Sequence, residues 1–254
     1  MIRYINSFKK KNRIKYKEYF TENKILICDR GRPGQTYFNV LFSLHINKKK
    51  KFNIFVLSEK KGKFEYNKKF FQTFGIKNFN YLYLKKINFI FLKSCISLLY
   101  ALIILKLNGL NKFVDTYSVN GIYCGDLIWD TYIRHDHSFK KTEINFKFLK
   151  ILFISIYKIY YLEDLLKKQN IKIILTSSNN YASLSAIALR LGVKFKIKTF
   201  FQKFHKIVEI KKFDDIRKSP FQLSEKAIIK KYNKKNQNTF EKYFKNRMKA
   251  KSLP

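Results

Sequence analysis

The segment from Lys24 to Ser58 constrains the fold more than any other part of the chain. Lys24 to Asp29 (KILICD) is a short apolar run, and the turn-forming residues Arg30 to Gln35 (RGRPGQ) stop it. Apolar residues recur at helical intervals from Thr36 to Ile46, and Phe52 to Ser58 (FNIFVLS) is a second apolar run. A helix between two buried strands predicts a right-handed βαβ unit with parallel strands. We therefore expect an α/β fold.

The alternation of strands and helices continues as far as Thr199, which predicts a Rossmann-like parallel sheet with helices on both faces. We expect a basic arm at 1–23, the α/β domain at 24–210, and at 211–254 a charged helical tail or the start of a truncated second domain. The predicted elements after Ser58 are a helix at Phe64–Phe74 stopped by Gly75, a strand at Asn80–Leu84, a helix at Ile87–Leu107, a helix from Thr142 as N-cap to about Lys168, a strand at Ile171–Leu175, a helix at Tyr181–Leu191 closed by Gly192, and a strand at Val193–Ile197.

The formal net charge is +37, which is typical of proteins that bind nucleic acid or anionic membranes. Only 8 of the 54 basic residues are Arg, however, whereas Arg is the residue that binds phosphates and bases in a bidentate manner. The excess of Lys, Ile, Asn, Phe and Tyr is also what an AT-rich genome imposes through its codons. We therefore do not expect nucleic acid as a partner. The hydrophobic fraction of 46% indicates that the chain forms a folded core.

The cysteines and the N-terminus indicate an intracellular protein. Cys28, Cys95 and Cys124 are far apart and lack the spacing of a zinc site, so we expect buried thiols in a reducing compartment. The basic N-terminus is not followed by the apolar stretch of a secretory signal. We expect a cytoplasmic location, with peripheral contact at the inner face of the membrane as an open alternative.

The most apolar segment, Ile87 to Leu107, is nearly long enough to cross a bilayer. Lys93 lies inside it, and the uninterrupted apolar part from Ser94 to Leu105 is short for a span. This pattern favours a buried core helix. A transmembrane helix and attachment to a membrane surface are the alternatives.

Three loops qualify as candidate sites, because ligands of open α/β sheets bind outside the carboxyl ends of the strands. The first, after the first strand, contains Arg30 and Arg32, which suit a phosphate or carboxylate, although it lacks the nucleotide-binding glycine motifs. The third, at 176–180 (TSSNN), offers Ser178 and Asn179 before a predicted helix that begins at Tyr181, where an anion or a sugar hydroxyl can bind. Both loops have a structural alternative, a simple turn and helix capping by Ser177, Ser178 or Asn179.

The second candidate, Gly121 to His137 (GIYCGDLIWDTYIRHDH), is the richest in chemistry. Gly121 and Gly125 permit a tight turn. The residues that follow on one helical face, at spacings of four, four and three, are Asp126, Asp130, Arg134 and His137. A carboxylate or His would deprotonate a hydroxyl as general base, and Arg134 would bind an anionic group. Alternatively, the charges serve only as caps and ion pairs.

No metal site is expected. The HDH cluster at 135–137 places adjacent side chains in different directions on a helix, and no further His or Cys ligands have suitable spacing. His45 and His205 are isolated in the sequence.

At these residues the chain resembles a family of bacterial capsular and surface polysaccharide biosynthesis proteins, two-domain glycosyltransferases of GT-B-like architecture. The resemblance is carried by GIYCGDLIWDTYIR, the helix and strand after it, the polar loop with Tyr181, and SAIALRLGVKF. It covers about 120–195 well and 24–58 more loosely. The family's polar loop usually carries a His, where this chain has Ser177 to Asn180.

The resemblance implies the N-terminal half of an enzyme that transfers a sugar from a nucleotide-sugar donor to a growing glycan, without a cofactor. Asp126 and Asp130 would be catalytic, and Asn179 and Tyr181 would make polar contacts with a glycan or lipid-linked acceptor. Related proteins continue into a donor-binding domain, so the chain would be an acceptor-side half, a truncated product or a subunit of a split enzyme. The alternative function is a non-catalytic basic module for anionic glycan, lipid-linked acceptor or nucleic acid.

Overall fold

A computed structural model describes residues 21–29, 33–59, 68–82, 88–136, 144–177, 181–203 and 206–217. Within these ranges the strands are β1 (Lys24–Asp29), β2 (Asn53–Ser58), β3 (Asn78–Tyr81), β4 (Ser118–Val119), β5 (Ile122–Tyr123), β6 (Ile171–Thr176), β7 (Lys198–Lys203) and β8 (Lys206–Ile210). The helices are α1 (Pro33–Lys49), α2 (Phe89–Thr116), α3 (Gly125–Asp136), α4 (Phe146–Lys168), α5 (Leu184–Lys194) and α6 (Phe213–Arg217). Residues 68–73 are also helical.

The main sheet has six strands in the order β3-β2-β1-β6-β7-β8. The first five strands are parallel to one another, and β8 is antiparallel to β7. The prediction of an α/β fold with a mostly parallel sheet is therefore confirmed, and the order is consistent with a Rossmann-like domain. From β1 the chain continues to β2 and β3, towards one edge of the sheet. From β6 it continues to β7 and β8, towards the other edge, so the strand order reverses between β1 and β6.

Helices cover both faces of the sheet, as expected, and alternation along the strands explains why. On β1, Ile25 and Ile27 pack with apolar residues of α1 and of the helical segment at 68–73, whereas Leu26 and Cys28 pack with α2 to α5. All four side chains are fully buried. A strand apolar on both sides is typical of a parallel sheet covered by two helical layers.

Two predicted boundaries around Gly192 are wrong. Gly192 lies inside α5 instead of ending it, and the next strand is Lys198–Lys203 instead of Val193–Ile197. A Cβ at position 192 would lie 2.1 Å from Thr199 Oγ1. Glycine is needed here because α5 and β7 approach closely.

The start of α4 also differs from the prediction. Thr142 lies outside the described residues, and the N-cap is Asn145, whose side chain accepts a hydrogen bond from Phe148 N. By contrast, Gly75 has φ of +83° directly after the helical segment at 68–73, as expected of a helix stop.

The apolar helix α2 is longer and less buried than predicted. It extends to Thr116, with a kink at Gly109, whose φ is +73°. One face packs on the core through Ser94, Ala101 and Leu105, but the opposite face is apolar and exposed. The prediction of a buried core helix is therefore correct for one face only. By length and composition α2 also qualifies as a candidate membrane span.

Candidate functional site

β1 and β6 are neighbours in the sheet, and the chain continues from them towards opposite edges, so their carboxyl ends form the topological switch point, where α/β folds bind ligands. Helix α1 follows β1, and its side chains contact both strand ends. Thr36 Oγ1 donates a hydrogen bond to Asp29 Oδ1 at 2.6 Å, and Gln35 Nε2 donates one to Ser177 O at 3.2 Å. The start of α1 therefore bridges the two strands at what we call the ligand edge, the carboxyl ends of β1, β2 and β6 with the residues that directly follow.

Three buried polar atoms near the ligand edge have no hydrogen-bond partner within the described part of the chain. They are Gln35 Oε1, Ser177 Oγ and the Asn39 amide nitrogen, one helical turn after Gln35. Buried polar atoms in folded proteins are nearly always paired, with protein, water or a ligand. These three atoms could therefore form hydrogen bonds with a ligand or with water at this edge. Gln35, the last residue of the first candidate loop, and Asn39, which follows that loop, were not predicted as site residues from the sequence.

An ion pair between Glu59 and Lys158 lies at the same edge and was missed from the sequence. Glu59 directly follows β2 and accepts a hydrogen bond from Leu184 N, at the start of α5. Lys158 Nζ lies 3.4 Å from Glu59 Oε1 and donates to Ala182 O at 2.7 Å. The pair thus connects β2, α4 and the residues before α5. Its only sequence signals were an acid after a predicted strand and one Lys in an apolar helix.

Cys28, at the end of β1, is fully buried. Burial, and then the carboxylates of Glu59 and Asp29, raise the pKa of its thiol far above the usual range. The three cysteines are free, and Cys95 is the one that is not fully buried.

The candidate motif begins with a β-hairpin that the sequence analysis did not identify. Strands β4 and β5 are antiparallel, and their two-residue turn, Asn120-Gly121, has φ of +49° and +69°. Asn-Gly at two positive φ values is the signature of a type I′ turn. The Asn120 side chain donates to Glu163 Oε2 at 2.9 Å, so α4 holds the turn in place. Gly121 is therefore required for the positive φ of the turn.

Gly125 begins α3 and packs directly on the backbone of α2. A Cβ at this position would lie 2.4 Å from Phe113 O and 2.6 Å from Val114 O. No other residue fits without moving one of the helices, since Cβ atoms do not approach carbonyl oxygens so closely.

Asp126 forms a bidentate ion pair with Arg190 of α5. Arg190 Nη1 lies 2.8 Å from Asp126 Oδ1, and Nη2 lies 2.7 Å from Oδ2. Arg190 Nη1 also donates to Tyr123 O. The Arg190 side chain is 3% exposed and the Asp126 side chain 34%. Arg190 lies six residues, or about 9 Å, along α5 from its start at the ligand edge. Asp126 is thus engaged in a structural contact away from that edge.

Asp130, one turn later, is exposed and has no hydrogen-bond or ion-pair partner among the described residues. Partial burial of the carboxyl group, which disfavours its charged form, and then the carboxylate of Asp126 raise the pKa of Asp130, although Arg190 partly offsets this. A carboxylate with a raised pKa and free oxygens suits a general base better than one held by a guanidinium.

The end of α3 reaches the ligand edge. Thr131 Oγ1 accepts a hydrogen bond from Ala182 N at 2.7 Å, and the Arg134 guanidinium stacks on the Tyr181 ring at 4.5 Å. Both Tyr181 and Ala182 precede α5 and follow β6 in the chain. Tyr181 has φ of +63°, which is uncommon for a residue other than glycine and costs about 1–3 kcal/mol. Neighbouring contacts therefore hold this tyrosine in place.

The other candidate residues lie outside the described residues: Arg30, Arg32, His137, Ser178 and Asn179. The capping alternative for the loop at 176–180 is wrong, because α5 begins later and its N-cap is Ser183, whose side chain accepts from Ala186 N at 3.3 Å. Within the described ranges, no group of three or more His, Cys, Asp or Glu could hold a metal ion.

The chain matches no protein-family model, no curated protein and no solved structure. What it does must be inferred from its own residues. The structure brings together Arg134 of α3 and Tyr181, which precedes α5. Asp130 lies one helical turn before Arg134 on α3. Asp126 belongs to the same helix but is paired with Arg190.

Proposed function

We propose that this chain is a glycosyltransferase-like protein of capsular or surface polysaccharide synthesis, resembling the N-terminal domain of two-domain, GT-B-like enzymes. The reaction would transfer a sugar from a nucleotide-sugar donor to a hydroxyl of a glycan or lipid-linked acceptor. The observation that carries the proposal is the contact of α3 with the residues after β6, through Thr131–Ala182 and Arg134–Tyr181. It joins the motif on which the resemblance depends to the ligand edge of the sheet.

The polar groups of α3 and of the ligand edge together suit an acceptor that carries hydroxyls and a negative charge. Asp130 would take the proton of the attacking hydroxyl, and the raised pKa brings its basicity closer to that task. Arg134 would bind an anionic substituent while it remains stacked on Tyr181. Gln35 and Ser177 offer further hydrogen bonds. The nucleotide-sugar donor would be held by a second domain or subunit.

Complementation tests the proposal in cells whose own copy of the gene is deleted, with surface polysaccharide as the readout. We expect Asp130→Asn and Arg134→Gln to reduce polymer at least about tenfold, the effect of losing one catalytic group or charge-assisted contact. Asp164→Asn is the matched control, because Asp164 pairs with Lys168 on the surface of α4. It should restore polymer fully.

Two results would count against the proposal in different ways. If both variants restore polymer to the wild-type level, the site assignment is wrong. If deletion of the gene leaves the polysaccharide unchanged, the function is wrong.

The net charge of +37 favours one second candidate, a non-catalytic basic module that binds anionic glycan, lipid-linked acceptor or nucleic acid. Such a module would bind its polyanion with an affinity that falls steeply with salt, and Asp130→Asn would leave that affinity unchanged or higher. Filter binding of acidic polysaccharide and of DNA over a salt series distinguishes the candidates.

A further inference from the structure

The exposed face of α2 carries a continuous apolar stripe. Its seven large side chains follow one another at intervals of three, four or one along the helix: Phe89, Leu92, Ile96, Leu99, Tyr100, Ile103 and Leu107. At 3.6 residues per turn they lie within a sector of about 100°. Each is at least half exposed, and Phe89 and Leu107 are 80% and 77% exposed. Apolar surface of this extent in a folded domain marks an interaction site.

Lysines border this stripe on both sides. At 3.6 residues per turn, Lys93 lies at one edge of the sector and Lys106 at the other, and both residues are exposed. No acidic residue occurs between Phe89 and Leu107, and Lys85 and Lys86 shortly precede the helix in the sequence. The partner of this surface must therefore offer an apolar interior and a negatively charged rim.

We infer that α2 docks the domain on an anionic lipid bilayer, with the stripe in the acyl boundary and the lysines at the headgroups. Helices of this kind lie in the plane of the interface. A second copy of the chain suits the surface poorly, because a two-fold contact would bring the same lysine-bordered stripes together. The inference goes beyond the proposed function and does not depend on it.

The opposite face of α2 indicates that the helix lies on the bilayer and does not cross it. Ser94, Ala101 and Leu105 are buried in the core, and Ser97 Oγ lies 2.5 Å from Tyr160 OH of α4. A transmembrane orientation would separate α2 from α4 and from the core of the domain. An in-plane orientation keeps all of these contacts.

Co-sedimentation of the full chain with vesicles tests the inference, using phosphatidylcholine alone and an equal mixture with phosphatidylglycerol. We expect binding to the anionic vesicles only. Replacing three exposed residues of the stripe with Gln (Ile96→Gln, Leu99→Gln, Ile103→Gln) should weaken it at least about tenfold. The matched control replaces three exposed apolar residues outside α2 (Ile144→Gln, Phe146→Gln, Val208→Gln) and should change it less than about threefold.

A charge-reversal pair tests the rim while leaving the apolar stripe intact. Lys93→Glu with Lys106→Glu should weaken binding to anionic vesicles at least about tenfold, since lysines near such a surface are attracted to its negative charge and glutamates are repelled. Lys172→Glu with Lys196→Glu, at exposed positions outside α2, is the control. Equal losses in both pairs would show that only the net charge matters and would overturn the inference.

Three other results would also overturn it. One is equal binding to neutral and anionic vesicles. Another is resistance of the bound chain to alkaline carbonate, which would indicate a transmembrane helix. The last is a dimer in sedimentation velocity that the stripe variant converts to a monomer, which would identify a second copy as the partner.

Discussion

Replacing Asp126 with Asn should weaken the fold, whereas the same replacement at Asp130, one helical turn later, should not. Asn keeps one oxygen acceptor but loses the charge and one of the two hydrogen bonds to Arg190, whose side chain is 3% exposed. Breaking a buried ion pair costs about 3–5 kcal/mol. Because Asp126 is 34% exposed, water solvates this position and reduces the cost of breaking the pair. We expect a loss of about 2–3 kcal/mol, given that a hydrogen bond to a charged group contributes about 1.5–3 kcal/mol.

The expected effect of Asp130→Asn has the opposite sign. Because partial burial and then Asp126 raise the pKa of Asp130, the folded chain binds this proton more tightly than the unfolded chain. Ionisation of Asp130 therefore weakens the fold progressively as pH rises from the ordinary carboxyl pKa through the raised one. At neutral pH, Asp130→Asn should leave the stability unchanged or slightly higher.

Urea denaturation followed by tryptophan fluorescence measures both variants. Trp129, the only tryptophan, lies in α3 between the two positions and packs on Tyr132 at 5.6 Å. For a domain of this size, 2–3 kcal/mol corresponds to a fall in Tm of about 4–12 °C. The reasoning would be refuted if Asp126→Asn were as stable as the wild type, or if both variants lost the same stability. A double-mutant cycle with Arg190→Met should show the coupling directly.

Three further outcomes are expected. Gly125→Ala should lower the stability by more than about 2 kcal/mol, because its Cβ would meet carbonyl oxygens of α2, whereas Gly34→Ala in open space should be neutral or stabilising in thermal unfolding. Burial alone would raise the pKa of Glu163, but hydrogen bonds from Asn120 and Lys167 and the charge of Lys194 hold it below the ordinary value. The stability that ionised Glu163 contributes to the fold should therefore be lost as pH falls below about 4.5. In an acid titration monitored by circular dichroism, Glu163→Gln should lose less stability than the wild type over this range. Cys95 alone should react with a maleimide in the native state, while all three thiols react in urea.

The central part of the fold could be predicted because its sequence signals are local. β1 was predicted with the observed bounds, and β2 and β6 to within one residue, since each is a short apolar run bounded by turn residues. The errors around Gly192 arose because a helix-ending glycine and a close-packed one look alike in sequence. Only Thr199, across the contact with β7, shows which it is. The Asn-Gly turn was a local signal that the sequence analysis did not use.

The candidate site was harder to predict, because its decisive contacts join distant residues. Helical spacing placed Asp126 and Asp130 on one face, but nothing near them in sequence indicated that Arg190 would pair with Asp126, or that Asp130 would have no ion-pair partner among the described residues. The same holds for Glu59 and Lys158, which are separated by almost a hundred residues. Spacing along a helix identifies which side chains share a face, and only tertiary structure identifies their partners.

The two anchors of α3 have a consequence for how this chain can vary between related genes. Asp126 is held by Arg190 near one end of the helix, and Thr131 by Ala182 further along it. Inserting or deleting one residue between them would turn one anchor by about 100° around the helix axis, away from its partner. The number of residues between the two anchors should therefore be constant among related genes.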